Sequence, residues 1–400
     1  MRIAIVVQRF GTEIIGGAER HALDYAKKFN SALGWDVEIF TTCAIDYKTW
    51  ENYYDPGSMR SDFGIVRRFP VSFPRSPLFF SLFCRMFNRL LLFLAKRQSE
   101  SIIGMLLEKA WFTLQGPYCP TLIETLYEER NRFDVVFFFT YLYYPTLRGL
   151  PLLREKSVLI PTAHDEPPFY FGSVKKLFSE VRAVLYSSKI ERDLIKRVHP
   201  HTTHNLLQAG VGIEPIPGNK KSGDYLLYLG RISKGKNCDR LIELFLEYMQ
   251  EVDHVPLRLV LAGQAEIDIE IPNNRSITYL GPVSEEKKNE LIAGCLCVVN
   301  SSPKESLSLV VLEAVSARKP LMLNADCELF RDYASVLPII TLYRDAVSFR
   351  AAITKSMEWG RKRSSPEFFD LAEEWLNHNY TWDTVLASIQ KAAESLKQTL

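Results

Sequence analysis

The chain has 400 residues, 47% hydrophobic and 24% charged, with a formal net charge of +2. That globular balance is more than one comfortable core can use and favours two domains of roughly 200 residues each. A charge so near zero excludes nucleic-acid binding by overall field, and no uncharged apolar stretch reaches the ~18 residues of a spanning helix.

Met1–Gln8 opens with an apolar run too short for a signal peptide and reads as a first buried strand over 3–7. The loop after it ends in Gly16-Gly17-Ala18-Glu19-Arg20 and opens a helix predicted over 18–30. Paired glycines let backbone amides approach a ligand closely, and a helix start favours negative charge. The loop is not G-x-G-x-x-G and has no ribose-binding acid at the usual spacing, which weighs against a dinucleotide oxidoreductase. A second strand is predicted over 35–41. The segment from Arg67 to Arg97 then carries Arg67, Arg68, Arg75, Arg85, Arg89, Lys96 and Arg97 with no acidic residue. Ser76-Pro77 suits a helix start, with serine as cap and proline in the first position. From Leu78 to Lys96, Ser81, Arg85, Asn88, Arg89 and Lys96 fall near one face, and leucine and phenylalanine fill the others. Such a basic amphipathic helix suits an anionic bilayer surface, so peripheral membrane contact through 76–97 is an expectation. A helix that covers the first sheet with its arginines in water, or on an acceptor phosphate, is the other reading.

Strands follow over 135–139, 157–160 and 183–186. Pro161-Thr162-Ala163-His164-Asp165 lies at the carboxyl end of one of them, where a neutral histidine can hydrogen-bond a sugar hydroxyl. A Gly- and Pro-dense linker over 204–218, then a polar stretch over 219–224, separates the first series from a second. Its strands are predicted over 225–229, 257–262, 277–279, 296–300 and 320–323, with helices over 237–248 and 284–293. Most strands are continuously apolar, as parallel strands covered on both faces are. Alternation of strand and helix is the signature of doubly wound α/β sheets. Two such domains are expected to face each other across a cleft, where ligands sit at the carboxyl ends of the strands. The expected division is 1–205, 206–376 and a C-terminal segment 377–400.

Three motifs in the second series carry chemistry. Gly230-Arg231 and Gly235-Lys236-Asn237 place two cations on a loop before a helix, where a fork and a point charge can clamp a diphosphate. Gly281-Pro282-Val283-Ser284-Glu285-Glu286 joins a strand to a helix capped by Ser284, and its backbone could read a base edge. In Lys304–Ala314, Glu305 and Glu313 lie eight positions apart, slightly more than two helical turns. They flank a helix start whose amides suit an anion. The cysteines at 43, 84, 119, 238, 295, 297 and 327 are scattered and odd in number. Cys295 and Cys297 form C-x-C without a matching His or Cys pair, which speaks against zinc; buried free thiols in a reducing compartment are expected.

In order, Gly16-Gly17-Ala18-Glu19, His164-Asp165, Gly230-Arg231 with Lys236, and Glu305 with Glu313 resemble the family 4 glycosyltransferases, retaining enzymes of the GT-B fold. The resemblance covers nearly the whole chain and includes Tyr380-Thr381-Trp382-Asp383 before a last helix, which in that family crosses back to the N-terminal domain. It implies that Gly16 and Gly17 lie against the donor diphosphate and the reacting centre, and that His164 touches the transferred sugar near its 6-hydroxyl. Arg231 and Lys236 would hold the diphosphate. Glu305 would bind sugar hydroxyls, Ser306 and the amides of Leu307, Ser308 and Leu309 sugar and phosphate, Glu313 the ribose, and Val283 the base. The family usually has glycine or a similarly small residue where this chain has Ser308.

The function expected is hexose transfer from a nucleotide sugar, UDP-glucose or a close UDP-hexose first and GDP-mannose second. The acceptor would be a saccharide or lipid-linked sugar in surface or exopolysaccharide biosynthesis of bacterial type. Attack would come from the front face, with the leaving phosphate taking the proton and with no cofactor or metal. The location expected is the cytoplasm, peripheral at the inner face of the cell membrane. A nucleotide-sugar epimerase of the same architecture and a non-catalytic nucleotide-sugar-binding protein are the alternatives.

Overall fold

The computed structural model describes residues 1–14, 16–96, 102–202, 206–217, 223–252, 256–267, 269–361 and 366–397; Arg97 and linker residues 204–205 and 218–222 lie outside them. Contacts divide the chain into two compact units, Met1–Val211 with Leu386–Leu400, and Gly212–Val385.

The first unit has strands β1 (Arg2–Val6), β2 (Asp36–Thr42), β3 (Gly57–Ser61), β4 (Gly64–Phe69), β5 (Val135–Phe139), β6 (Ser157–Ile160), β7 (Ala183–Tyr186) and β8 (Leu206–Gln208). Its helices are α1 (Gly17–Ser31), α2 (Pro77–Lys96), α3 (Ile102–Gln115), α4 (Pro120–Glu128), α5 (Tyr144–Gly149), α6 (Gly172–Glu180) and α7 (Lys189–Val198). The strands form one sheet in the order β3-β4-β2-β1-β5-β6-β7-β8, parallel throughout except for the antiparallel β3–β4 hairpin. The central strands are buried on both faces, which is why their sequences do not alternate. On α1, Ala22, Tyr25, Ala26 and Phe29 repeat at helical spacing and are buried. The Tyr25 hydroxyl donates to the carbonyls of Ala209 and Gly210, fixing the end of the sheet.

The second unit has strands β9 (Tyr225–Leu229), β10 (Arg258–Ala262), β11 (Ile277–Gly281), β12 (Cys297–Asn300), β13 (Leu321–Asn324) and β14 (Ile340–Tyr343). They are all parallel, in the order β11-β10-β9-β12-β13-β14. Helices α8 (Cys238–Glu251), α9 (Glu285–Gly294), α10 (Leu309–Ser316), α11 (Glu328–Val336), α12 (Ala346–Arg361) and α13 (Pro366–Tyr380) belong to it, and α14 (Trp382–Lys397) starts in it. In each sheet the chain winds outward from a central first strand and then returns to the other side. The switch points lie between β1 and β5 and between β9 and β12, where α/β sheets open a crevice at their carboxyl ends. Both units are thus doubly wound and Rossmann-like.

The expected strands are all present, with ends shifted by one or two residues. Four strands were not expected: β3, β4, β8 and β14. Strand β3 is solvent-facing and polar, and β4 is half-buried with only Val66 buried, so the hairpin lacks an unbroken apolar run. Strand β8 pairs with β7, so residues 206–208 extend the first sheet inside the stretch taken as linker. The last strand, β14, is short and half-buried.

Helix α2 starts at Pro77 as the sequence predicts, with the Phe79 N–H reaching the Ser76 hydroxyl at 3.4 Å. Phe80, Phe83, Cys84 and Phe87 pack on the first core, and Asn88 accepts the Trp111 indole N–H of α3 at 3.1 Å. The three arginines of the basic run upstream of the helix are each held within the first unit. Arg67 pairs with Glu129 and Glu38, Arg68 stacks on Tyr54, and Arg75 donates to the Gln115 side chain and to the carbonyls of Lys48 and Tyr47. Among the described residues no helix is long and apolar enough to cross a membrane.

Candidate functional site

In the second unit the loops after β9 and β12, the two strands at the switch point, converge. Gly263 has φ +139°, and a Cβ there would overlap the Gly230 carbonyl, so the loops after β9 and β10 touch backbone to backbone. Ile232 then bridges to Ala265, the Tyr228 hydroxyl donates to the Arg231 carbonyl at 2.9 Å, and the exposed Arg231 guanidinium faces Glu266 at 3.6 Å. A short 3-10 turn, Lys234–Lys236, carries the next cation. Asn237 holds the cap position of α8 in the left-handed conformation, φ +56°, and makes no side-chain cap. Its contribution is the turn, which asparagine tolerates better than most residues.

The Lys236 ammonium lies 2.7 Å from the Glu305 carboxylate and 3.3 Å from the Ser302 hydroxyl. The Lys236 carbonyl accepts the Ser301 hydroxyl at 2.7 Å, and the Asn324 amide holds the Ser301 carbonyl. Both side chains of the ion pair are mostly buried, 25% and 18% exposed, so the pair is stronger than a surface one. Ser308, where the resembled family favours a small residue, sits at φ +58° as the N-cap of α10. The Asn300 amide donates to its hydroxyl at 3.3 Å. A non-glycine residue there costs about 1–2 kcal/mol, which is the physical reason for glycine at this position. From Ser308 the helix presents its N-terminal amides, with Ser306, Leu307 and Leu309 around the entry; the Leu307 carbonyl is held by the buried Tyr333 hydroxyl.

Glu313, on α10, is paired with Lys288 of α9, which also reaches Glu285 at 2.8 Å. Burial opposes the Lys288 charge, but Glu313 and Glu285 outweigh it and hold the ammonium above the usual lysine range. Val283 is half-buried in the turn between β11 and α9, with the Ser284 hydroxyl capping α9 through the Lys287 N–H at 3.2 Å.

In the first unit, Gly16 and Gly17 follow β1 and His164 follows β6, both at the carboxyl edge of one sheet with β5 between. Gly16 has φ −174°, which any residue adopts; space is what restricts it. A Cβ would overlap the Glu19 carboxylate, and that group is buried and fixed by Gln8 at 3.0 Å and Arg9 at 2.6 Å. Glu19 is therefore the reason for the glycine. Gly17 is exposed, with nothing within 4 Å of a Cβ.

His164 is half-buried on a loop whose residues Ala163, Asp165 and Glu166 are each held by side-chain hydrogen bonds. Thr162 takes φ +48°. The Ala163 N–H donates to Glu191 at 2.5 Å, Asp165 accepts from Tyr170 and Arg197 at 2.8 Å each, and Glu166 accepts the Tyr141 hydroxyl at 2.7 Å. Glu191 is wholly buried and also accepts the Ser187 N–H at 2.7 Å. Desolvation pushes its carboxyl up to about 7 against the pull of these amides.

The structure thus joins Lys236 to Glu305 directly, sets Arg231 against Glu266, and pairs Glu313 with Lys288. Glu266, Lys288, Ser302, Arg9 and Glu191 escaped the sequence reading. Only Lys288 had a local signal, one helical turn beyond the cap at Ser284. All seven cysteines are free, six of them buried, and among the described residues no group of His, Cys, Asp or Glu could hold a metal.

Residues 213–336 match the family described as Glycosyl transferases group 1, a stretch that contains Arg231, Lys236, Glu305 and Glu313. No curated protein sequence matches the chain. Over its whole length the fold is similar to sucrose-phosphate synthase from Thermosynechococcus elongatus, with TM-score 0.67, 14% identity and 100% of each chain covered. It is also similar to Anabaena Alr3699/HepE in complex with UDP and glucose, with TM-score 0.62, 12% identity and 100% of each chain covered. A third similar structure is WaaG, a glycosyltransferase involved in lipopolysaccharide biosynthesis, with TM-score 0.57, 14% identity and 98% of this chain and 99% of that one covered. The α/β fold with two parallel-sheet Rossmann-like domains matches GT-B glycosyltransferase structures.

Proposed function

We propose that the chain is a retaining glycosyltransferase that moves a hexose from a nucleotide sugar to a saccharide or lipid-linked acceptor in surface polysaccharide synthesis. One observation supports this above the others. The Lys236–Glu305 pair sits at the carboxyl ends of β9 and β12, beside the N-terminus of α10 and within the stretch that matches the glycosyltransferase family.

In this reading the bond from sugar to diphosphate breaks with negative charge developing on the leaving oxygen. Arg231, Lys236 and the α10 amides oppose that charge more in the transition state than in the ground state, which is what lowers a barrier. Glu305 orients both the Lys236 ammonium and the sugar hydroxyls, and Glu313 takes the ribose diol. His164 bonds the sugar, Gly17 leaves room at the reacting centre, and the Gly16 backbone lies against the diphosphate. Val283 abuts the base. The acceptor attacks from the face the phosphate leaves, and the phosphate takes its proton. The two cations supply the neutralisation, so chelator should leave the rate unchanged. UDP-glucose is the first donor to try, since HepE has been crystallised with UDP-glucose; GDP-mannose is second. The place of work proposed is the cytoplasmic face of the cell membrane.

A thermal-shift screen against UDP, GDP and ADP and their sugars tests the donor site. A ligand at 100 times its dissociation constant stabilises by about 2.7 kcal/mol. Absence of stabilisation by every nucleotide sugar would sink the reading, and product formed without added acceptor would favour epimerisation.

A further inference from the structure

Helix α2 is apolar over a wider arc than the first core covers. Phe80, Phe83, Cys84 and Phe87 face inward, yet Leu78, Leu82, Met86 and Leu90, spaced by four, and Phe93 form a second stripe that faces solvent. Leu78 is 86% exposed and Met86 61%. The stripe runs about 22 Å along the helix. Helix α3 packs against α2 through Trp111 and Phe80 and opens with Ile102, Ile103, Met105 and Leu106, all exposed. Scattered exposed leucines are ordinary, but a continuous patch of this kind marks an interaction site.

Charge chooses the occupant. Arg85 and Arg89 are exposed and border the stripe one residue before Met86 and Leu90, and the sequence has no acidic residue between Asp62 and Glu100. A second copy docked on this face by a two-fold axis would set arginine rows against each other. A bilayer with anionic headgroups instead takes the apolar stripe below its surface and the guanidiniums at phosphate level. We infer that the outer face of α2, with the first turns of α3, is the surface by which this chain docks on an anionic lipid bilayer. The inference rests on the proposed transferase acting on a lipid-linked acceptor and names where that lipid surface meets the protein.

Co-sedimentation with vesicles tests it. The full chain should pellet with phosphatidylcholine vesicles containing about a third phosphatidylglycerol, and not with phosphatidylcholine alone. Arg85→Gln with Arg89→Gln should weaken partitioning about 25-fold, since each surface basic residue contributes about fivefold. Leu82→Ser with Met86→Ser should weaken it roughly tenfold or more. UDP-induced stabilisation is read on the same variants and should persist, because α2 carries no donor residue; its absence in the wild type would count against the donor site and leave docking standing. No pelleting, equal pelleting with neutral vesicles, or a concentration-dependent dimer abolished by the Leu82/Met86 pair would overturn the inference.

Discussion

Glu191→Gln probes how the loop that carries His164 is held. The Glu191 carboxylate accepts the Ala163 N–H at 2.5 Å on one oxygen and the Ser187 N–H at 2.7 Å on the other, tying the loops after β6 and β7 to α7. Glutamine has one acceptor oxygen, so its amide must face one of those N–H groups. A buried donor left unpaired costs about 1–3 kcal/mol. The wild-type carboxyl rises from 4.5 to about 7 on folding, driven by burial. An acid raised in the folded state contributes its full stability below the unfolded value and loses it as pH climbs through the folded one. At 1.36 kcal/mol per unit, the loss is at most about 3 kcal/mol. The neutral acid keeps a lone pair on each oxygen for the two N–H groups, so the stability advantage of wild type over Glu191→Gln should be largest at and below pH 4.5, shrink steadily towards pH 8, and can change sign. Urea unfolding of both proteins at several pH values measures it, with hydrogen exchange at the Ala163 amide as the local readout. An advantage that stays constant or grows with pH would refute the reasoning.

Lys236→Met should lower the transfer rate about 10²–10³-fold, the usual cost of losing one group that stabilises a developing oxyanion. Combined with Glu305→Gln it should lower the rate by less than the product of the two single effects; initial rates of nucleotide release decide, and a folded Lys236→Met with near wild-type rate would count against the role. Gly16→Ala should destabilise the protein by about 3 kcal/mol, because its methyl displaces the buried Glu19 carboxylate from Arg9; the melting temperature reports this, and an unchanged value would mean Glu19 moves freely. Lys288→Met leaves Glu313 without its ammonium and should raise the donor KM about three- to tenfold while kcat stays nearly constant, a split that steady-state kinetics resolves.

The two sheets were legible because their strands are buried on both faces and so are written as unbroken apolar runs. The β3–β4 hairpin was not, since Gly57–Ser61 is exposed and contains no such run. Among site residues, Lys236 and Glu305 were found from separate motifs, and only tertiary structure could bring them together across 69 positions. Lys288 and Glu191 escaped because a charged residue on a helix reads as solvated until its partner is known. Tight turns were equally hidden: Thr140, Thr162, Asn237 and Ser308 all adopt positive φ, where glycine would have announced the bend. The apolar excess of α2 was visible in sequence, but which part of it the core covers was not.

Three cations of the second unit share a property with kinetic meaning. Arg231 faces Glu266, Lys236 faces Glu305, and Lys288 faces Glu313 and Glu285, so these three cations project little net field into solvent. A dianionic nucleotide would not be drawn in from a distance by these paired cations; it would exchange partners with them only on contact. Arg231, Lys236 and Lys288 should accordingly add little ionic-strength dependence to its association rate, with their selectivity residing in how slowly it leaves.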